Sequence, residues 1–290
     1  MWTDIEKAIS DASDTPFKIE SKHEIRGGCI NRAVCLQGHD RTYFAKLNSA
    51  SQLSMFATEA IGLRAISATR TLRAPNPIVW GTTADQSWLI LEHIPLAQPG
   101  SATEALLGRQ LAAMHRTTSQ RFGWEEDNFI GPSIQSNRLE DTWLSFLRDQ
   151  RLAFQLQLAA RHGAPTTLLE KGRRLIIMLP GILDGYQPEA SLLHGDLWSG
   201  NRAADDEGQP VIFDPAVYFG DREADLAMTE LFGGFGESFY QAYRAAWPME
   251  DGYEVRKQLY NLYHLLNHFN LFGGVYALQA ERSMDFLLTQ

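Results

Sequence analysis

The chain has 290 residues, with 35 acidic against 26 basic side chains and a formal net charge of −9, which argues against general nucleic-acid binding while leaving one nucleotide within reach of local N–H groups and a metal. Its two cysteines, Cys29 and Cys35, exclude a disulfide-rich scaffold and a four-cysteine zinc site. No stretch approaches the ~20 apolar residues of a membrane span, and the N-terminus has no basic segment leading into an apolar run, so the sequence predicts a cytoplasmic protein with neither membrane nor nucleic-acid partners.

In chain order, segments 17–25, 30–37 and 41–47 carry β-branched and aromatic residues. Gly27-Gly28 and Gly38-His39-Asp40 punctuate them, which predicts three strands. The run 51–68 repeats Leu53, Phe56, Ala60, Leu63 and Ile66 at helical spacing. Two short strands follow, near 77–80 and 87–91, the first introduced by Pro75 and Pro77. From about 101 onward the pattern turns helical: 101–117, 138–161, 166–184, 222–232, 237–246, and 254–287 with a break near Gly273-Gly274. One non-helical island, Ser191 to Phe219, interrupts it. The expected class is α+β, with a small β-rich N-terminal lobe (1–94), a larger, mostly helical C-terminal lobe (95–290) and a hinge near 92–96.

The island carries the densest cluster of chemistry. His194-Gly195-Asp196 is followed by Asn201, and Asp214 stands thirteen residues after that asparagine. Apolar residues at Leu192-Leu193 and Val211-Ile212-Phe213 flank the polar loop as short buried strands. A lone Asp or Asn in a loop ordinarily makes a turn. The whole string at this spacing instead suits phosphoryl transfer, which needs an acceptor for a hydroxyl proton and oxygen ligands for Mg²⁺. Asp196 is the expected base, and Asn201 and Asp214 are the expected neutral and anionic metal ligands. His194 reads as a structural tie within the loop.

The first lobe offers the remaining parts. Gly27-Gly28 lies between two predicted strands, where a glycine turn can aim N–H groups at phosphate; alone, such a pair is an ordinary hairpin. Lys46 sits in a strand-like alternation and Glu59 on the following helix. Either residue alone would be a solvated surface charge. Glycine turn, strand Lys and helix Glu nevertheless occur in the order used by kinases, where the Glu holds the Lys and the Lys reaches the α- and β-phosphates. Backbone groups from Glu92 to Ile94 are placed to pair with an adenine edge. The cofactors expected on this reading are ATP and Mg²⁺.

Two segments give the chain a family likeness: Leu193 through Asn201, and Phe213-Asp214-Pro215 running through Arg222-Glu223-Ala224-Asp225-Leu226 to Gly233-Gly234-Phe235. Met55 to Ala60, Leu107 to Ala112 with His115, Phe122-Gly123-Trp124, and Asp127-Asn128-Phe129-Ile130-Gly131 extend it. The sequence resembles the fructosamine kinase (ketosamine-3-kinase) family, whose His-Gly-Asp core is shared with aminoglycoside phosphotransferases and choline kinases. The resemblance implies a protein-kinase-like fold. It also implies ATP- and Mg²⁺-dependent phosphorylation of the sugar O3 of small-molecule or protein-bound ketosamines, leading to deglycation. On it Asp196 maps to the base, Asn201 and Asp214 to metal ligands, and Lys46 and Glu59 to the kinase ion pair. Asp225 maps to a brace of the catalytic loop. Asp221 departs from the histidine common in the family.

Several readings stay open. Trp198 is either a stacking platform for a sugar or a core anchor under the loop. Cys29 is either an accessible redox-sensitive thiol or a small inert strand-end residue. The acceptor is alternatively an aminoglycoside, choline or homoserine. A rival of a different class is a nucleotide-binding scaffold without catalysis. The expected assembly is a monomer or weak homodimer.

Overall fold

A computed structural model describes residues 1–25 and 30–290. Gly27, Gly28 and Cys29, with the phosphate-turn and redox expectations placed on them, lie outside the described residues. The chain forms two compact units that are discontinuous in sequence. One comprises Met1–Thr103 and Arg202–Pro215, the other Glu104–Asn201 and Ala216–Gln290. The sequence predicts a single boundary, at 94/95, with no counterpart to the excursion at 202–215.

The first unit is built on an antiparallel sheet in the order β1 (Ser21–Ile25), β2 (Arg32–Gln37), β3 (Thr42–Ser49), β5 (Gln86–Glu92), β4 (Pro77–Thr82). Residues 17–20, expected to begin the first strand, precede it without regular secondary structure. An N-terminal helix, α1 (Trp2–Ser13), escaped the sequence reading. Its only fully buried residues are Ile5 and Ile9, a short i,i+4 stripe among acidic and polar neighbours. They pack with Phe17, Val34, Leu36, Tyr43, Ala45 and Leu47. Because side chains alternate along a strand, Tyr43, Ala45 and Leu47 enter this core while Phe44 and Lys46 turn to the opposite face. On α2 (Leu53–Ala68), Phe56, Ala60, Leu63 and Ile66 are fully buried. Residues 202–215 add a hairpin, Arg202–Ala204 paired with Pro210–Ile212, whose Ile212 N–H donates to the Arg73 carbonyl.

The second unit is mainly helical. It holds most of α3 (Ser101–His115), then β6 (Thr118–Ser119), β7 (Asn128–Ile130) and β8 (Ser133–Gln135). After these come α4 (Trp143–Phe146), a π-helical stretch (Leu147–Ala153), α5 (Phe154–Arg161), α6 (Thr166–Ile182) and β9 (Ala190–Leu193). The short strand Tyr218–Gly220 pairs with β9 ahead of α7 (Glu223–Leu231), α8 (Glu237–Ala246), α9 (Tyr253–Phe272) and α10 (Val275–Leu287). The helix expected over 138–161 starts only at Trp143. Before it, Glu140 exchanges two backbone hydrogen bonds with Phe122, and Thr142 Oγ1 caps the helix by accepting from the Ser145 N–H. The break expected near Gly273-Gly274 is present, with φ of 64° and 60° at the two glycines. The core combines Trp143, Phe146, Leu193, Tyr218, Leu259 and Leu266 with residues of α6 and α10. Among the described residues, no helix is long and apolar enough to cross a membrane.

Candidate active site

In the first unit, β3 and α2 bring Lys46 and Glu59 together, with Nζ 2.6 Å from Glu59 Oε1. The chain leaving the hairpin brings in Asp214, whose Oδ1 lies 2.5 Å from the same Nζ. Lys46 and Glu59 are nearly enclosed, at 7% and 10% side-chain exposure, whereas Asp214 is 47% exposed. Burial opposes a charge on Lys46, but Asp214 and Glu59 outweigh it, so the ammonium is held above its ordinary range and stays cationic. Burial pushes Glu59 up to about 7 against the pull of Lys46. Asp214 itself adopts φ 58°, a left-handed conformation that few non-glycine residues take.

Glu92 and Ile94 also belong to this unit. The Glu92 carboxylate accepts from Arg73 Nη2 at 2.7 Å and from the Asn76 N–H at 3.1 Å, and its own N–H donates to the Asn76 carbonyl. Ile94 is buried.

In the second unit, the loop after β9 carries Asp196. Asp225, on α7, holds it from below: Oδ2 accepts from the His194 N–H at 2.7 Å and Oδ1 from the Gly195 N–H at 2.9 Å. His115 Nε2 lies 3.2 Å from the same carboxylate, and its Nδ1 is 2.8 Å from the Tyr243 hydroxyl. Burial alone would raise Asp225, but His115 and the backbone donors overcome it and hold the carboxyl below its usual value. Asp225 is therefore a brace, as the resemblance implies. His194 is fully buried, and its Nδ1 accepts from the Asp196 N–H at 3.3 Å. Gly195, at φ 83°, is irreplaceable on steric grounds, because a Cβ there would lie 2.0 Å from the Ala216 carbonyl oxygen. Asn201 Nδ2 donates to the Asp196 carbonyl at 2.8 Å and to Asp196 Oδ2 at 3.2 Å, fixing both the loop and the carboxylate.

Two open readings change here. The residue anchored in the core beneath the loop is Leu197, fully buried, whereas Trp198 is 38% exposed. The Trp198 ring lies over Gly200, where a Cβ would come within 2.2 Å of it. Asp221 is fully buried and structural: its Oδ1 accepts from the Glu223 N–H at the start of α7, and its Oδ2 from the Tyr186 and Tyr260 hydroxyls at 2.9 and 2.5 Å. The contact of Asp214 with Lys46 is a feature that spacing alone does not reveal, since 168 residues separate them. Among the described residues, no group of three or more His, Cys, Asp or Glu forms a self-sufficient metal cage.

A lysine–glutamate pair joined by an aspartate, in the first unit, and an asparagine-held aspartate on a His-Gly-Asp loop, in the second, are each of a kind that phosphoryl transfer uses. The sequence profile of the fructosamine kinase family matches residues 1–290. The chain belongs to that family. It is thus a phosphotransferase of the kinase class. Fructosamine kinase relatives include a probable ketoamine kinase of Synechocystis, 46% identical over 98% of this chain and 95% of its own. A chloroplastic protein-ribulosamine 3-kinase of Arabidopsis thaliana is 44% identical over 90% of this chain and 80% of its own. The crystal structure of a putative fructosamine-3-kinase from Haemophilus somnus superposes with a TM-score of 0.91 at 27% identity, covering 99% of this chain and 98% of that one. An aminoglycoside phosphotransferase structure matches at TM-score 0.63 and 18% identity over 100% and 99% of the two chains, a likeness of fold. The fold is protein-kinase-like, as the sequence predicts.

Proposed function

We propose that this fructosamine kinase family member uses ATP and Mg²⁺ to phosphorylate O3 of a ketosamine, and that Asp196 accepts the proton of the attacking hydroxyl. The observation that carries this reading is the preserved set of kinase parts. Lys46 is paired with Glu59 and Asp214 in one unit, and Asn201 orients Asp196 in the other. The names of the ketoamine and ribulosamine kinase relatives support the acceptor class.

On this reading Asp196 waits as a carboxylate whose Oδ2 is steered by Asn201 Nδ2. Its role is to orient the sugar hydroxyl and take up its proton as the O–P bond forms. Lys46, kept cationic, meets the α- and β-phosphates and holds them in line. Asn201 and Asp214 suit a magnesium ion. The two hydrogen bonds of Asn201 to Asp196 both use its nitrogen, which leaves the amide oxygen as a ligand, and half-exposed Asp214 has a second oxygen outside the lysine contact. One amide and one carboxylate are what a magnesium ion completed by phosphate oxygens and water requires. When bound, that ion offsets the charge of the transferring phosphoryl group. A ketosamine phosphorylated at O3 is unstable and releases its amine, so the biological outcome proposed is deglycation.

ADP release measured over ribulosamines, erythrulosamines and fructosamines, with choline and an aminoglycoside in parallel, tests this reading. We expect turnover of at least one ketosamine and a 3-phosphate product by phosphorus NMR. Turnover of choline or the aminoglycoside with none of the ketosamines would overturn it.

A further inference from the structure

Arg151 lies in the π-helical stretch between α4 and α5 and is 1% exposed. Its hydrogen bonds go to neutral oxygens: Nη1 donates to the Ser136 and Gln150 carbonyls, and Nη2 to Asn137 Oδ1 at 2.9 Å. The guanidinium rests on aromatic faces, 4.1 Å from the Tyr218 ring centroid, 4.5 Å from Phe146 and 5.3 Å from Tyr263. A buried cation held by neutral groups alone is costly. A π-helical turn within an α-helix is itself a feature frequent at functional sites.

What the cation does follows from the amides beyond it. With Asn137 Oδ1 turned to the guanidinium, Asn137 Nδ2 faces Asn128 Oδ1 at 2.8 Å. Gln135 Nε2 donates to the same oxygen at 2.8 Å and to the Ala216 carbonyl at 2.9 Å. Asn128 Nδ2 is then left to donate to the Val217 carbonyl at 2.7 Å, and Gln135 Oε1 accepts from the Tyr263 hydroxyl at 2.8 Å. All three amides are at least 96% buried. Each has a donor end and an acceptor end, so reversing one would set N–H against N–H or oxygen against oxygen. The charge of Arg151 at one end and the Ala216 and Val217 carbonyls at the other thereby fix the sense of every bond in the series.

The series ends at the backbone that carries the catalytic loop. Ala216, gripped by its carbonyl, donates its own N–H to the His194 carbonyl at 2.8 Å. The Tyr218 ring that receives Arg151 stands 3.4 Å from the Cβ position of Gly195, the residue before Asp196. We propose that Arg151, Asn137, Asn128 and Gln135 form a positioning set that fixes residues 216–217 against the 194–196 loop and so aims the Asp196 carboxylate. The set explains why the Asn128 segment, singled out in the sequence without a role, accompanies the catalytic motif. The proposal rests on the kinase reading above for its kinetic arm.

The test compares Arg151→Met, Arg151→Lys and Gln135→Met, with kinetics and hydrogen–deuterium exchange in the full-length enzyme. Arg151→Met is expected to lower kcat by about 10- to 100-fold with nucleotide KM within about threefold of wild type. Arg151→Lys, which keeps the charge and N–H donors on a single nitrogen, recovers most of that loss. Amides in 193–201 exchange about tenfold faster in Arg151→Met, while those in α6 and α10 keep their protection. Gln135→Met repeats the pattern with the cation in place, and decides the matter if Arg151→Met does not fold. The proposal is overturned if a folded variant keeps kcat within about threefold and leaves 193–201 unchanged, or if exchange rises equally in α6 and α10. A wild-type enzyme inactive on every ketosamine would remove the functional reading, and the exchange arm would still decide the positioning claim.

Discussion

Asp214 holds a left-handed backbone conformation while its carboxylate meets Lys46. A residue kept in that region costs free energy that its surroundings must offset. Here the ion pair with a buried ammonium does so. Asp196 is held differently, by Asn201 and by a backbone pinned on Asp225. Substitution should separate the two roles. Asp196→Asn removes the proton acceptor and is expected to lower kcat by roughly 10²- to 10⁴-fold with nucleotide KM nearly unchanged. Asp214→Asn is expected to raise the KM for Mg-ATP about tenfold or more, as read from initial rates at varied nucleotide. Equal kcat for wild type and Asp196→Asn would reject the base assignment. Much of this residue-level picture is legible in the sequence, because the Asp196–Asn201 spacing lies within one loop. The Lys46–Asp214 contact is not, since nothing local encodes a pairing across 168 positions. Arg151 was equally silent: in the sequence it is one arginine on a helical stretch, and only the three rings around it distinguish it.

At the scale of elements, α9 shows how a helix can place titratable groups where protons do not reach. His264 on this helix is 3% exposed, and its Nδ1 has no hydrogen-bond partner. Burial, reinforced by His268, pushes its pKa down to about 3. In the unfolded chain the same imidazole titrates near 6.5, so the unfolded state takes up a proton that the native state refuses. The resulting stability is complete above pH 6.5 and drains away as pH falls from there toward 3, at roughly 1.4 kcal/mol per pH unit. His264→Phe should flatten that dependence, narrowing the loss of urea stability between pH 7 and pH 5 by about 2 kcal/mol. An unaltered slope in the variant would contradict it. The helices with long apolar stripes, α2 and α9, are readable from periodicity alone. Helix α1 is not, since two buried isoleucines make too thin a stripe. The stretch 138–142 reads as helix by composition, but the backbone pairing of Glu140 with Phe122 claims it first.

For the molecule as a whole, the net charge of −9 makes the few cations aimed at phosphate all the more consequential. Ligand binding to the native state stabilises it by mass action, by about 2.7 kcal/mol at a ligand concentration 100 times Kd. Mg-ATP should therefore raise the thermal midpoint by roughly 5 °C, and chelation of the metal should abolish most of that rise. A shift that persists undiminished in chelator would argue against Asn201 and Asp214 as metal ligands. The α+β class is legible from the change of period near residue 100, because strand-rich and helix-rich segments differ in local composition. The discontinuity of the units is not, because the excursion Arg202–Pro215 is too short to carry a signature of its own.

That excursion has a consequence for biosynthesis. A ribosome that has released only the first hundred residues has made the sheet and the Lys46–Glu59 pair, but not the hairpin or Asp214, the second carboxylate on the lysine. The N-terminal unit thus stays unfinished until about residue 215 has emerged, a departure from the usual vectorial order of first domain before second. N-terminal fragments cut between residues 103 and 202 inherit the same defect, and become whole only when the missing fourteen-residue loop is supplied.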